Sequence, residues 1–464
     1  MTTPFPTPAD FQPLLPDDAP VARPRPPRSH WQDVRGALVR NRQAWASLWL
    51  IVFLLLFALV GPRLWPVDPS LQDSDRISEG PALGPVTARV VAGTRWPGVT
   101  VPDHPARGEI PAARLEAPRE LRLAEEATTQ GVRLVWTPVP GAATYVVYRN
   151  EFRPNGPTEL GLPLGETGAG NRVGFQDRLK LEPVRYYYAV VAGDGVEESD
   201  RYRLIEVTPR RAIDPERARE IDPRLAPGAT VTLAVHPLGL DSLGRDLLAR
   251  LIHGARTSLF IGLGAPLLFV GLGILYGGLA GMAGGWLDDW MMRLADFVVA
   301  LPFLLFMILL RVAFGIQSGE SGVAPMLAAM VLLGWPTPAR LVRGQVLQIR
   351  HAGFVEAARL LGVGRWRLLT RHLLPNVMGV ALVSLTFAVP GAIFTEAFLS
   401  FIGMGVVPPT PSWGSLCQEG LKSLWNHPHE LLFPALCISM TVLAFNLFGD
   451  GLRDALDVKT RERP

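Results

Sequence analysis

The sequence predicts an all-α polytopic membrane protein of six transmembrane helices, with a β-sandwich inserted on the extracytoplasmic side. Three observations lead there. Apolar residues make up 48% of the 464 residues and gather into uncharged blocks of about 18 or more, enough for bilayer-spanning helices. One long stretch between the first two blocks alternates apolar and polar residues with the period of a strand. Basic residues concentrate in alternate connections, which gives the blocks a direction through the membrane. The chain is also longer than a single soluble core usually grows.

Residues 1–43 read as a cytoplasmic tail. "FPTPADFQPLLPDDAP" and "RPRPPR" are too proline-rich to bury much surface and are expected to be disordered. "WQDVRGALVRNRQAW" then places Trp31, Val34, Leu38 and Trp45 near helical spacing, as in an interfacial helix leading into the bilayer. The first span is expected over 44–61. It does not read as a signal peptide, because the tail before it is long and no small-residue cleavage site follows. An extracytoplasmic region, 62–256, comes next. A five-helix core fills 257–450: a second span within Thr257–Leu287, a third over about Ala295–Phe314, a fourth over Val323–Ala339, a fifth from Val377 past Pro390, and a sixth over Leu431–Gly449. Pro390-Gly391 is expected to break or kink the fifth helix. Residues 451–464 form a second cytoplasmic tail.

Charge sets the orientation. The N-terminal tail holds six arginines, and Arg340–Pro375 holds seven with a single acid, Glu356. Arg453, Lys459, Arg461 and Arg463 lie in the C-terminal tail, whereas the connections near Gly315–Gly322 and Ser400–Glu430 contain one lysine, Lys422, and no arginine. The positive-inside rule therefore puts both termini and the Arg340–Pro375 segment in the cytoplasm. Arg245, Arg250 and Arg256 fall on the outer side, which the rule tolerates beside a long loop. A net charge of only +3 gives no reason to expect nucleic acid as a partner. Cys417 and Cys437 stand alone, without CxxC or a histidine cluster, so neither a disulfide framework nor a metal site is indicated.

Within 62–256, "GVRLVWTP" points Val132, Leu134 and Trp136 to one face, and "ATYVVYRN" and "VRYYYAVVA" read as further strands. "PVPGA", "RPNGP" and "AGDG" supply the turns. The pattern resembles a fibronectin type III domain over about 113–209. An unrelated small β-insertion is the other reading.

Just before the second span, Asp241 is placed to cap a helix starting near Ser242. Leu243, Leu247, Leu251 and Ile252 would form its apolar stripe, and Asp246 and Arg250 an i,i+4 pair. Gly254 would then release the chain into the span. "VPPTPSWG" is a proline-stiffened loop, suited either to closing a path or to bracing. Glu396 follows Pro390-Gly391 in an apolar run. It reads either as a carboxylate lining a translocation path, facing a substrate ammonium, or as a group hydrated at the outer interface. Asp296 and Arg311 would mark the two ends of the third span.

The segment "EAARLLGVGRWRLLTRHLLPN", Glu356–Asn376, reads as helix, glycine break, helix, proline stop. Ala357 and Ala358 permit close approach of another surface. Gly362 is free to take a positive φ. Trp366, Leu369 and Leu373 would be presented beside Arg365, Arg367 and Arg371, and Pro375 would end the second helix. The result is a stiff cationic bracket suited to docking on a cytoplasmic protein.

The spacing of Glu356-Ala357-Ala358, Gly362 and Leu374-Pro375 resembles the EAA motif of the membrane subunits of ATP-binding-cassette importers, with His372 where that motif has isoleucine. The resemblance implies a coupling segment over 356–375, with Glu356, Ala357, Ala358, Gly362, Arg365, Leu374 and Pro375 meeting an ATPase subunit. "HPLGLDSLGRDLLARLIHGARTSLFIGL", "FLSFIGMGVVPPTPSWGSL", "LFPALCISMTVLAFNLFGDGLRDALD" and "LWPVDPS" are similar to the oligopeptide/dipeptide branch of these permeases. That branch implies a MetI-like core preceded by one extra helix, in the bacterial inner membrane. It also implies a second, different permease subunit, two ATPase subunits that bind ATP and Mg, and an extracytoplasmic solute-binding protein for peptides or similar solutes.

The chain itself has no GxxxxGK[ST] phosphate loop and no HExxH, serine-triad or paired-carboxylate arrangement, so no enzyme activity or cofactor of its own is expected. Two rival readings remain at this stage. One is a secondary transporter or channel, which would want intramembrane charges or an inverted repeat. The other is an adhesion or sensor protein working through its β-domain.

Overall fold

The computed structural model describes residues 30–92, 96, 98–100, 110–168, 172–179, 181–315 and 322–456. The proline-rich tail and Lys459, Arg461 and Arg463 lie outside them. The chain divides into two compact units, Met1–Ser70 with Ala249–Pro464, and Leu71–Leu248. At the start of the first unit, α1 (His30–Arg40) and α2 (Arg42–Leu64) are separated by Asn41. The Asn41 side-chain oxygen accepts from the Gln43 and Ala44 amides at 3.1 and 3.2 Å, so a side-chain cap starts the first span.

The second unit is built on strands β1 (Val86–Val90), β2 (Val99–Thr100), β3 (Arg119–Leu123), β4 (Val132–Thr137), β5 (Thr144–Asn150), β6 (Pro163–Gly168), β7 (Arg172–Val173), β8 (Phe175–Asp177), β9 (Tyr186–Gly193), β10 (Glu198–Val207), β11 (Ala212–Ile213) and β12 (Thr230–Leu233). A short helix, α3 (Pro215–Ile221), lies between the last two. Strands β3-β4-β8 form one sheet and β10-β9-β5-β6 another. They close on a core containing Leu134, Trp136, Tyr145, Val147, Tyr188 and Val190. Val132, Leu134 and Trp136 are all buried, as their alternation requires. Trp136 packs edge-on to Tyr145 at 5.4 Å between ring centres. The Tyr186 hydroxyl accepts from the Glu182 amide at 3.1 Å, tying the turn before β9 to that strand.

A second sheet system of this unit, β11-β1-β12, has strands too short to show a period in the sequence. Here β1 pairs antiparallel with β12 in the register Val86 to Leu233. Next to it, the Glu79 carboxylate is gripped by Arg76, at 2.5 and 3.0 Å, and by Arg211. Arg76 also donates to the Ala234 carbonyl at 2.9 Å.

Back in the first unit, α4 (Leu247–Ala283) runs unbroken through Gly254. The separate surface helix expected from Ser242 is therefore absent. Asp241 closes a turn instead, accepting from the amides of Leu243 and Arg245 and from Arg245 Nε. An Asx turn and a helix cap use the same acceptor, so the sequence does not separate them. Helices α5 (Gly285–Val299) and α6 (Phe303–Ala313) stand where the third span was expected, bent by 83°. The intervening Leu301-Pro302 removes a helical donor and turns the chain. Where the fourth span was expected, α7 (Val323–Gly334) is followed at once by α8 (Pro336–Ile349). Then come α9 (Gly353–Leu360), α10 (Arg365–Leu368), α11 (Leu374–Phe401), α12 (Trp413–Leu421) and α13 (His429–Leu456).

Among the described residues, four helical stretches are long and apolar enough to cross a membrane: Arg42–Leu64, Leu247–Ala283, Arg365–Phe401 and His429–Leu456. The bent α5–α6 pair makes a fifth if counted as one span. The chain is thus polytopic, and the expected count of six is not reached by length and apolarity alone. The fifth expected span does not break at Pro390, which sits inside a continuous α11.

Burial pushes the Glu79 carboxyl up, but Arg76 and Arg211 outweigh it and hold the group below its ordinary value of 4.5. Stability from this carboxylate is therefore complete above the unfolded value and is lost as the pH falls through the lower folded value. Hydrogen exchange across 76–90, normalised to the intrinsic rate at each pH, should therefore accelerate on acidification below 4.5. Glu79→Gln should show the same looseness already at neutral pH and little further change with acid.

Candidate functional site

The cationic segment folds as an elbow. Its first arm, α9, turns Val355 and Ala358 inward and leaves Glu356, Ala357 and Arg359 outside. The arm ends in a glycine-dependent cap. Gly362 has φ +77°, its amide donates to the Arg359 carbonyl at 3.0 Å, and the Val363 amide reaches back to the Ala358 carbonyl at 3.1 Å. Those two bonds make a Schellman motif, and only glycine takes the required φ without strain. A Cβ at Gly362 would meet no atom within 4 Å, so the constraint lies in the backbone and not in packing.

The second arm differs from the expected helix and proline stop. After α10 the chain widens into a π-helical turn, Leu369–Leu373, and passes directly into α11. Pro375 falls in the first turn of α11, where its missing N–H is tolerated. The wider turn absorbs the mismatch, and Asn376 Nδ2 donates to the His372 carbonyl at 2.6 Å. Leu369 and Leu373, expected on the outer surface, are fully buried. With Val355, Ala358 and Leu368 they pack on Val342 and Val346 of α8 and on Val377 and Ala381 of α11.

The outer surface of the elbow therefore consists of other residues. Leu360 is 89% exposed, Leu361 84% and Trp366 62%, and they stand among the exposed Arg359, Arg365, Arg367 and Arg371. None of these four arginines is in an ion pair among the described residues. Large apolar side chains thus stand exposed beside cations, the composition found where a protein surface meets a partner.

Behind the elbow, α11 forms one wall of a cavity of about 890 Å³ through Val380, Ser384, Phe387, Gly391 and Thr395. Facing it are Phe269, Thr337 and Leu341, with Arg453 also at the lining. Glu396, next in sequence to Thr395, is 0% exposed and is not among the lining residues. Ser258 Oγ donates to one of its oxygens and Ser400 Oγ to the other, each at 2.8 Å. Ser258 also accepts from the Trp413 amide, and the Trp413 indole donates to the Leu251 carbonyl. "VPPTPSWG" thus ends in a buried anchor: Ser412 and Ser415 cap α12 reciprocally and Trp413 is fully enclosed.

Two further pairs join the helices. Arg250 holds Glu419 through two bonds of 2.6 and 3.0 Å, and Arg343 holds Asp288 at 2.6 and 2.7 Å. Sequence spacing gives no signal for either pair, because the partners are far apart in the chain. Asp296, expected at a span end, pairs with Arg340 at 2.5 Å, and Arg311 donates to the Gly403 carbonyl.

Comparison with known proteins places this geometry. Residues 273–462 match the family described as binding-protein-dependent transport system inner membrane component. Residues 29–84 match the N-terminal TM domain of oligopeptide transport permease C. Over 227 residues the chain is 47% identical to the oligopeptide transport system permease protein of Bacillus subtilis, covering 49% of this chain and 73% of that protein. The chain belongs to this permease family. Identity is 45% over 229 residues with the dipeptide transport system permease of Bacillus subtilis, covering 49% of this permease and 70% of the relative. It is 40% over 228 residues with the glutathione transport system permease of Pectobacterium atrosepticum, covering 49% and 74%. The present permease therefore carries more sequence outside the shared part than these relatives do.

Replacing Gly362 by valine should cost about 1–2 kcal/mol locally, because a β-branched residue resists the left-handed φ. Amide exchange at 362 and 363 should accelerate, with Gly362→Asn milder than Gly362→Val. Equal exchange in all three proteins would show that the cap does not hold the elbow.

Proposed function

We propose that this permease is the membrane subunit of an ATP-driven importer for peptides or similar small solutes, and that the elbow is its joint to the ATPase. One observation carries the reading: a cationic surface bearing Leu360, Leu361 and Trp366 is held rigidly on the helix that walls the cavity. ATP and Mg belong to the separate ATPase subunits. Their closure pushes on α9 and α10. The buried contacts of Val355, Leu369 and Leu373 pass that push to α8 and α11. Since α11 continues through Val380, Ser384 and Thr395, the cavity wall moves with it and access alternates between the two membrane faces.

Within the segment, Ala357 lets the ATPase surface approach, Arg365 meets its acidic rim, and Gly362 with Ala358 sets the angle of the first arm. Leu374 and Pro375 form the junction with α11, and Glu356 lies exposed at the start of the surface. Glu396 belongs to the same moving wall. It pins the far part of α11 to α4 and to the segment leading into α12, through Ser258 and Trp413. The full importer contains two ATPase subunits, a second and different permease, and an extracytoplasmic binding protein that sets the solute. It sits in the bacterial cytoplasmic membrane with both termini and the elbow inside. The β-sandwich, read as fibronectin type III-like, lies outside.

Reconstitution in proteoliposomes with the cognate ATPase tests this. Transport should require ATP, and Leu361→Asp with Trp366→Asp should abolish ATPase co-purification and lower transport at least about tenfold. Transport that persists without ATP, or an ATPase that still binds the double variant, overturns the proposal.

A further inference from the structure

A second cavity, of about 610 Å³, lies between α2 and α4. Leu55, Ala58 and Leu59 line it from α2, and Leu259, Leu263 and Leu267 from α4, with Arg256 on the same lining. One turn before Arg256, Ile252 packs so tightly on Gly61 that a Cβ there would come within 2.7 Å. That contact closes the groove beside the guanidinium. From Arg256 to Leu267 the helix advances about 16 Å, close to half of the ~30 Å hydrocarbon thickness. The groove is thus one leaflet deep, apolar along its length and cationic at one end.

The Arg256 side chain is exposed and has no hydrogen bond or ion pair among the described residues. It belongs to a helix long and apolar enough to cross a membrane. At the open, headgroup end of the groove its planar fork suits a phosphate. We propose that the groove binds one glycerophospholipid, with the phosphate on Arg256 and one acyl chain along Leu259, Leu263 and Leu267. The lipid fills the gap between α2 and α4, so it serves as a packing partner for the first helix and not as cargo.

Native mass spectrometry of the delipidated full chain, titrated with phosphatidylglycerol, tests this. The unmodified protein should retain one lipid. Arg256→Gln should weaken its retention about tenfold, and Arg256→Lys less. Leu263→Trp, which fills the groove while keeping the cation, should also weaken it and decides the matter if Arg256→Gln does not fold. Diacylglycerol with the same chains should bind both the unmodified protein and Arg256→Gln weakly. Glu320 lies outside the described residues, and Glu320→Gln should leave retention unchanged. The proposal is overturned if Arg256→Gln retains phospholipid normally, if diacylglycerol binds as well as phospholipid, or if Glu320→Gln strengthens retention by releasing Arg256. It is overturned equally if Leu59→Cys cross-links to a second permease through this groove.

Discussion

The coupling proposed for this permease depends on the apolar root of the elbow. Val355, Ala358, Leu368, Leu369 and Leu373 are buried against α8 and α11. A docking surface that merely hung from the membrane on a flexible loop would yield to any push and transmit little of it. Here the same residues that form the bend also form the core beneath it, so moving the surface means moving the helices. Each buried leucine contributes about 1.5–3 kcal/mol of burial, and such cores resist shear because they are close-packed.

The other end of α11 is held by a different kind of contact. Glu396 has no solvent to satisfy it, and two serine hydroxyls do so instead, one from α4 and one from its own helix. Burying a charge or an unmet acceptor is expensive, so a half-made network would be worse than none. The consequence is directional. The close-packed apolar root resists shear as a block, whereas the serine–carboxylate node is either made or broken. A helix held by a packed core at the elbow and by a discrete polar node at its far end is suited to two positions rather than a continuum.

The legible parts of this fold were those written in local pattern. The strands of the sandwich follow from alternation at Val132, Leu134 and Trp136, and the elbow's first arm from Glu356-Ala357-Ala358 followed by Gly362. The parts missed depend on chemistry that local pattern does not distinguish. Pro375 looks like a stop, yet a π-helical turn and the Asn376 amide carry the helix past it. Asp241 looks like a cap and closes a turn instead. Leu369 and Leu373 share spacing with Trp366 but are claimed by the core, where they pack with Leu368 on α8 and α11. The two-residue strand β11 has no period to read, and Arg250–Glu419 is set by tertiary approach alone.

The inserted unit, Leu71–Leu248, shows how a permease tolerates a long insertion between its first two membrane helices. Its incoming and outgoing segments are zipped together before the sandwich begins. The Asp73 amide donates to the Gly244 carbonyl, Ser78 to Asp241, Leu240 to Glu79 and Ala82 to His236, after which β1 pairs with β12. Gly244, at φ +73°, sits so close to Asp73 that no side chain fits there. Once these ends are fastened, the length of what lies between them adds little: loop-closure entropy grows only logarithmically, about 0.6 kcal/mol per doubling. The buried Arg76–Glu79–Arg211 cluster stands at the junction of this zipper and the small sheet. It adds charge-assisted bonds where the two strands would otherwise fray. The sandwich can therefore vary, or be carried as a module, without its folding being coupled to the order of the membrane helices.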